Sequence, residues 1–227
     1  MTAASQLTLA EQLYLLAYDE GVRVSGDPDV LFGSVLAGAL LIELFHRELI
    51  RERPDDIVAA VERPGELPSL LEDAMTAIRA SERSTEQWAT CWLDSELKPI
   101  KKTVARSLVE RGVLTEARGR MLGLIPRTRF PTADPAPRSE LLERLHAVLL
   151  STPRSDPTGP GMIQTRPRDP SEDEARLIAL LELLDMIEPL VPRDRCKQAR
   201  RQAMQIPYGL RSAQWRAYCA LVPESGW

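Results

Sequence analysis

The chain has 227 residues, and 44% of them are apolar, which is enough to fill a hydrophobic core without a partner. Its net charge of −4 is unlike the strongly basic balance of general nucleic-acid binders, and no uninterrupted apolar run is long enough to span a membrane. The cysteines Cys91, Cys196 and Cys219 form no C-x-x-C pair, which indicates reduced thiols and argues against a redox or zinc motif.

Capping boxes and apolar periodicity predict a mainly helical chain. Thr8 and Glu11 have the spacing of a capping box, which predicts a helix start, and Gly21 ends that element. Ser84 and Gln87 predict a second such start. Further helices are predicted over about 29–47, 67–79, 96–111, 139–149 and 171–187, after residue 192, and over 212–221. The segment 29–47 is apolar around most of its circumference, which predicts a central helix.

Two hairpins are predicted between these helices. Residues 49–53 and 56–62 form the strands of the first. The second covers about 113–125, after Gly112 has ended the basic helix, with Arg118 and Arg120 at its tip. Residues from about 151 to 171 are rich in proline, which predicts a flexible loop. The whole chain, 1–227, is predicted to form a single domain.

Basic residues are concentrated in one part of the chain. Residues 98–129 carry 9 basic and 2 acidic side chains, whereas residues 1–97 carry 7 and 18. Lys98, Lys101 and Lys102 are close enough in sequence to converge near the first turn of the basic helix. Like charges there oppose one another and the positive end of the helix dipole, a conflict typical of a place where an anion binds. The alternative interpretation is an ordinary solvated helix face.

The sequence contains no pattern that indicates catalysis. The two histidines, His46 and His146, sit at helical positions among leucines, where half-buried structural histidines are expected. Dinucleotide-binding, P-loop and nucleophile-elbow motifs do not occur. The chain is therefore predicted to be non-enzymatic, with no metal and no cofactor.

Three long segments resemble the signature segments of the Golgi phosphoprotein 3 family, in the order and at the spacing of that family. They are residues 7–13 (LTLAEQL), 36–44 (LAGALLIEL) and 108–114 (LVERGVL). Residues 124–131 (LIPRTRFP) are similar to the stretch after the hairpin in the bacterial branch of the family. The resemblance covers roughly residues 7–222 and implies a single mainly helical domain around a central helical bundle, with a projecting β-hairpin.

The resemblance also implies a ligand. Eukaryotic members bind phosphatidylinositol 4-phosphate through a tryptophan and an arginine near the second helix and two basic residues on the helix before the hairpin. The two basic positions match Lys98 and Lys101, whereas the tryptophan position falls near Pro28 and the arginine position on Ala37. Those members self-associate through the hairpin. They also use an arginine-rich N-terminal arm in trafficking, a role that is not expected here because the predicted fold begins almost at once.

These observations predict a non-enzymatic peripheral protein that binds anionic or phosphoinositide headgroups. The predicted contacts are Lys98, Lys101, Lys102, Arg127 and Arg129. One alternative is a cytosolic protein-interaction or regulatory module that keeps the fold without lipid binding. A third interpretation is a DNA binder, since a helix followed by Gly112 and a hairpin resembles a winged helix.

The same observations predict location and partners. The first residues lack the basic and apolar regions of a secretory signal, so we expect a cytoplasmic protein that lies on the inner face of the membrane when it is bound. The apolar run over 121–125 predicts a homo-oligomer formed through the hairpin. No nucleic-acid partner is expected.

Overall fold

The computed structural model describes residues 7–17, 28–62, 65–80, 82–85, 87–88, 100–121, 125–151 and 169–206. Over these residues it contains seven α-helices and two antiparallel hairpins, which confirms the mainly helical prediction. The helices are α1 (Leu9–Ala17), α2 (Pro28–His46), α3 (Ser69–Ala80), α4 (Ile100–Glu110), α5 (Ala136–Leu149), α6 (Glu172–Leu183) and α7 (Cys196–Gln205). The strands are β1 (Ile50–Glu52), β2 (Val58–Ala60), β3 (Ala117–Met121) and β4 (Ile125–Arg129).

Two helices form the centre of the bundle. α1 begins at the predicted capping box, where the Thr8 N–H donates to Glu11 Oε2 at 2.7 Å and the Glu11 N–H donates to Thr8 Oγ1 at 3.3 Å. Every residue of α1 is buried, and α2 is buried throughout from Phe32 to Phe45. This burial confirms the prediction that the second helix is central.

The other helices surround this centre in two groups. α3 and α4 pack against each other and against α2, while α5, α6 and α7 pack against one another. α1 joins the groups because it contacts α2 and α4 as well as α5 and α6. α6 starts close to the predicted residue 171, and a complete capping box between Ser171 and Glu174 forms this start. None of the described helices is both long and apolar enough to cross a lipid bilayer.

The first hairpin forms where it was predicted. β1 and β2 pair in antiparallel register, with Ile50 opposite Ala60 and Glu52 opposite Val58. Ile57 also bridges to Ser84, which connects the hairpin to the chain segment around the buried Trp88. Ser84 and Gln87 exchange the two hydrogen bonds of the predicted capping box, at 2.9 and 3.2 Å.

The second hairpin lies four residues later than predicted, because its strands pair from Ala117 opposite Arg129 to Met121 opposite Ile125. The expected first strand, Val113 and Leu114, is instead buried in the core. Gly112 adopts a φ of 74°, and the Val113 N–H then donates to the Leu108 carbonyl at 2.9 Å. Val113 and Leu114 therefore pack the C-terminal end of α4 against the bundle.

This register also corrects the position of the hairpin arginines. Arg118 lies opposite Thr128 and Arg120 lies opposite Pro126, so both are in β3 and neither is at the predicted tip. Most of the proline-rich segment and the last predicted helix, residues 152–168 and 207–227, lie outside the described residues. The single domain, the flexible loop and hairpin-mediated self-association remain predictions.

Candidate functional site

α4 directs an apolar face toward the bundle and a basic face away from it. Ile100, Val104 and Leu108 are spaced by four residues and are buried against α1, α2 and α3. On the other side, Lys101 and Lys102 are half-buried and Arg106 is exposed. The first turn of α4 therefore holds two lysines at the edge of its buried face.

Lys101 connects the start of α4 with the start of α2. Its Nζ lies 5.7 Å from the centroid of the Phe32 ring, within the range of a cation–π interaction. Phe32 is itself buried, and its ring centroid lies 6.0 Å from that of Tyr14 in α1. Because Phe32 lies about one turn after Pro28, the first turns of α2 and α4 meet at the same end of the bundle.

The backbones of the two helix starts contribute partial positive charge at this place. The first N–H groups of each helix have no partner within the helix, and the helix dipole adds partial positive charge at the same place. The Lys101 ammonium group adds a full charge beside them. Such an arrangement favours an anion.

The other predicted site residues have different places in the structure. Lys102 follows Lys101 in α4, whereas Lys98 lies outside the described residues. Arg127 is opposite Gly119 in the second hairpin, and Arg129 is opposite Ala117 and exposed. The structure thus brings Lys101 and Lys102 together on one helix turn, and it places the two arginines on another element.

A second polar site, which the sequence did not reveal, lies at the other end of α2. A pocket of about 190 Å³ has charged and polar lining residues, namely Gln12, Glu43, His46, Arg47, Asp173 and Arg176. The buried Arg176 donates from Nη2 to Glu172 Oε2 at 2.7 Å and to His46 Nδ1 at 2.9 Å. These contacts connect the end of α2 to the start of α6.

The two histidines are half-buried, as expected, and both connect elements of the bundle. His46 contacts Arg176 in α6, and His146 Nε2 lies 2.8 Å from the carbonyl oxygen of Leu190. Within the described ranges, no three His, Cys, Asp or Glu side chains are arranged to ligate a metal ion.

A protein-family model for Golgi phosphoprotein 3 (GPP34) matches residues 9–218. The chain belongs to the Golgi phosphoprotein 3 family. The match covers most of the chain and confirms the relationship expected from the three signature segments. It extends across both groups of helices and the second hairpin, so the whole described bundle is the family's fold.

In this member of the Golgi phosphoprotein 3 family, the signature segments meet at two buried carboxylates. Glu11, from the first segment, is fully buried and accepts hydrogen bonds from Ser107 Oγ at 2.7 Å and Arg111 Nε at 2.8 Å. Glu43, from the second segment, accepts from the Leu9 N–H at 2.6 Å and from Arg47 Nη2 at 2.6 Å. The signature segments therefore have a structural role, because these hydrogen bonds join α1 to α2 and α4.

The positions that the resemblance assigned to headgroup contacts differ in their surroundings. Ala37, which was expected to match the eukaryotic arginine, is completely buried and carries no charge. Pro28, which was expected to lie near the tryptophan position, is the first residue of α2. Of the two lysines that were expected to match the basic pair, Lys101 is within the described residues and lies beside this helix start.

Proposed function

We propose that this protein is a peripheral membrane protein that binds anionic lipid headgroups at the first turn of α4. Lys98 and Lys101 are the main headgroup contacts, and Lys102, Arg127 and Arg129 add attraction to the surface. The proposal rests on one observation, namely that Lys101 lies over Phe32 where the starts of α2 and α4 meet. An anion reaching this place gains from the ammonium group and from two helix dipoles.

The expected affinity follows from the number of charges. A basic residue near an anionic membrane contributes about 1 kcal/mol, so a few lysines give weak and salt-sensitive binding. A phosphorylated headgroup would gain more, because its oxygens accept charge-assisted hydrogen bonds from lysines and free backbone N–H groups. Since Pro28 and Ala37 replace the family's tryptophan and arginine, we expect at most a modest preference for phosphatidylinositol 4-phosphate.

Vesicle flotation tests this proposal. Vesicles of phosphatidylcholine alone, or with phosphatidylserine or phosphatidylinositol 4-phosphate, are mixed with the full chain at low and high salt. The wild type is expected to float with both anionic vesicles at low salt. Lys98→Ala with Lys101→Ala should weaken binding roughly 30-fold, since about 2 kcal/mol of attraction is lost.

Two variants control for charge and position. Replacing both lysines by arginine keeps the charge and should preserve most of the binding. Arg51→Ala removes one exposed positive charge from β1 and should leave binding unchanged. Full binding by a folded double-alanine variant would remove Lys98 and Lys101 from the site. If the wild type binds no anionic vesicle, the protein-interaction module becomes the better interpretation.

A further inference from the structure

A pocket of about 260 Å³ lies between α1, the base of the second hairpin and the start of α5. Its floor is apolar and buried, whereas Thr132 and Pro135 are exposed at its mouth. Small-molecule sites typically combine such apolar walls with a few polar groups. The pocket is called the aromatic pocket below, and its lining residues are Tyr14, Leu15, Leu114, Phe130, Thr132, Pro135 and Arg138.

Contacts between distant segments hold the walls of the aromatic pocket in place. Leu114 and Thr132 form an antiparallel bridge at the base of the second hairpin. Arg138 Nε donates to the Leu15 carbonyl at 3.1 Å, which joins α5 to α1. Because these contacts already fix the walls, little conformational entropy is lost when a ligand enters.

The charge near the aromatic pocket favours a ligand with an anionic group. Among the described lining residues, Arg138 alone carries a formal charge. The exposed Arg129 immediately precedes the lining residue Phe130. Asp134 is the carboxylate nearest to them in sequence, and it accepts the Ala136 N–H at 2.9 Å at the start of α5. The pocket therefore suits an apolar chain that is attached to an acidic group.

Two aromatic rings connect the aromatic pocket to the proposed headgroup site. The ring centroid of Tyr14, which lines the pocket, lies 6.0 Å from that of Phe32. The Phe32 centroid lies 5.7 Å from Lys101 Nζ. An acyl chain extends about 15 Å, which is half of the hydrocarbon thickness of a bilayer, so one lipid molecule is long enough to reach both places.

We propose that the aromatic pocket binds part of one acyl chain of the anionic lipid whose headgroup contacts Lys101. This inference rests on the headgroup site proposed above. The pocket has the volume of about nine water molecules in the liquid, so it holds a segment of one chain and not a whole lipid.

The length of the chain gives the measurable effect. A chain that leaves a bilayer for the pocket exchanges one apolar environment for another, so its contribution to vesicle binding is small. A chain that leaves water gains much more, because each buried methylene group raises affinity up to roughly fourfold. Water-soluble ligands therefore reveal the pocket better than vesicles do.

A series of alkyl phosphates tests the proposal. Butyl, hexyl and octyl phosphate share the anionic group and differ only in chain length. Isothermal titration calorimetry measures their affinity for the full chain at low salt, at concentrations below micelle formation. The affinity of the wild type should rise with each added methylene group, by up to roughly fourfold, until the pocket is full.

A larger side chain at the mouth separates the pocket from the headgroup site. Thr132→Trp fills the pocket from an exposed position, so affinity should no longer rise with chain length, whereas butyl phosphate should bind about as in the wild type. Thr132→Met is a smaller replacement for use if tryptophan disturbs the fold. Thr76→Trp makes the matched change at an exposed position of α3 and should keep the wild-type increase. Circular dichroism and thermal melting check that the variants are folded.

The two lysines give the second arm of the test. Lys98→Ala with Lys101→Ala should weaken every alkyl phosphate by the same factor and leave the increase with chain length intact. The inference is overturned if wild-type affinity is independent of chain length, or if it rises as steeply in the folded Thr132 variants, even when the lysines prove to bind the phosphate. If the increase is present but the lysine variant binds all three ligands like the wild type, the headgroup site is wrong, and so is a ligand shared between it and the pocket.

Discussion

Glu43 is a carboxylate whose surroundings oppose its own charge. Burial raises the pKa of Glu43 above its usual value of 4.5, and the nearby Glu11 carboxylate raises it further. The guanidinium group of Arg47 and the Leu9 N–H act in the opposite direction but do not cancel this effect. The folded protein therefore holds a proton on Glu43 at a pH where the unfolded chain has lost it.

This difference predicts a pH-dependent contribution to stability. A carboxylate with a raised native pKa stabilises the fold most below about 4.5, and this contribution is lost as pH rises through the native pKa. Glu43→Gln removes the titration, so the variant should gain stability relative to the wild type as pH rises from acid to neutral. Denaturant unfolding of both proteins across that range measures the difference.

The exposed Glu72 provides the control for this experiment, because Glu72→Gln changes an exposed carboxylate on α3. The free-energy difference between that variant and the wild type should vary much less with pH. If the difference for Glu43→Gln is equally flat from acid to neutral pH, the proposed effect of burial is wrong.

Single residues were predictable where the signal is local. Thr8 and Ser84 were each predicted to open a capping box, and each bonds its partner three residues later, so a stretch of four residues is enough to predict the motif. The burial of Glu11 had no such signal. Its partner Arg111 is 100 residues away in sequence, and only the packing of α1 against α4 brings the two together.

At the level of elements, Gly112 determines how α4 leads into the second hairpin. Its φ of 74° lies in the left-handed region, and a β-carbon there would meet no atom within 4 Å. Gly112→Ala should therefore cost about 1 kcal/mol through backbone conformation alone, measurable by denaturant unfolding. Gly112→Asn should cost less, because asparagine tolerates this conformation better. Equal losses for the two variants would contradict this explanation.

The bounds of the second hairpin could not be predicted from the sequence. Val113 and Leu114 follow a helix-ending glycine, and in sequence they resemble the start of a strand. Such a pair can form part of an exposed strand or be buried in the core. The outcome depends on which apolar surface α4 and its neighbours leave exposed. That surface is formed by distant segments, so the bounds 117–129 required the three-dimensional structure.

For the candidate site, the sequence indicated which residues are basic but not what they contact. The lysines of α4 stood out by spacing and charge alone. Phe32 did not stand out, because an aromatic residue in an apolar helix is usually part of the core. The contact between Lys101 and Phe32 became visible only when the starts of α2 and α4 were placed side by side.

For the whole molecule, the distribution of charge predicts how it responds to DNA. Residues 1–97 carry a net charge of −11, which should repel a long polyanion that contacts much of the surface. We expect no shift of mixed-sequence duplex DNA at submicromolar protein in an electrophoretic assay. A salt-sensitive shift that disappears in Arg118→Ala with Arg120→Ala would instead support the winged-helix interpretation.

The buried pair of Glu11 and Arg111 also constrains when the protein can finish folding during synthesis. Glu11 is made early, but the chain must grow by 100 residues before Arg111 is added. At about 5–20 residues per second, this interval is roughly 5–20 s, and the ribosome tunnel delays Arg111 further. Throughout that time, burying α1 would bury Glu11 without the guanidinium group of Arg111. The first helix made is therefore expected to dock late, after α4 has emerged.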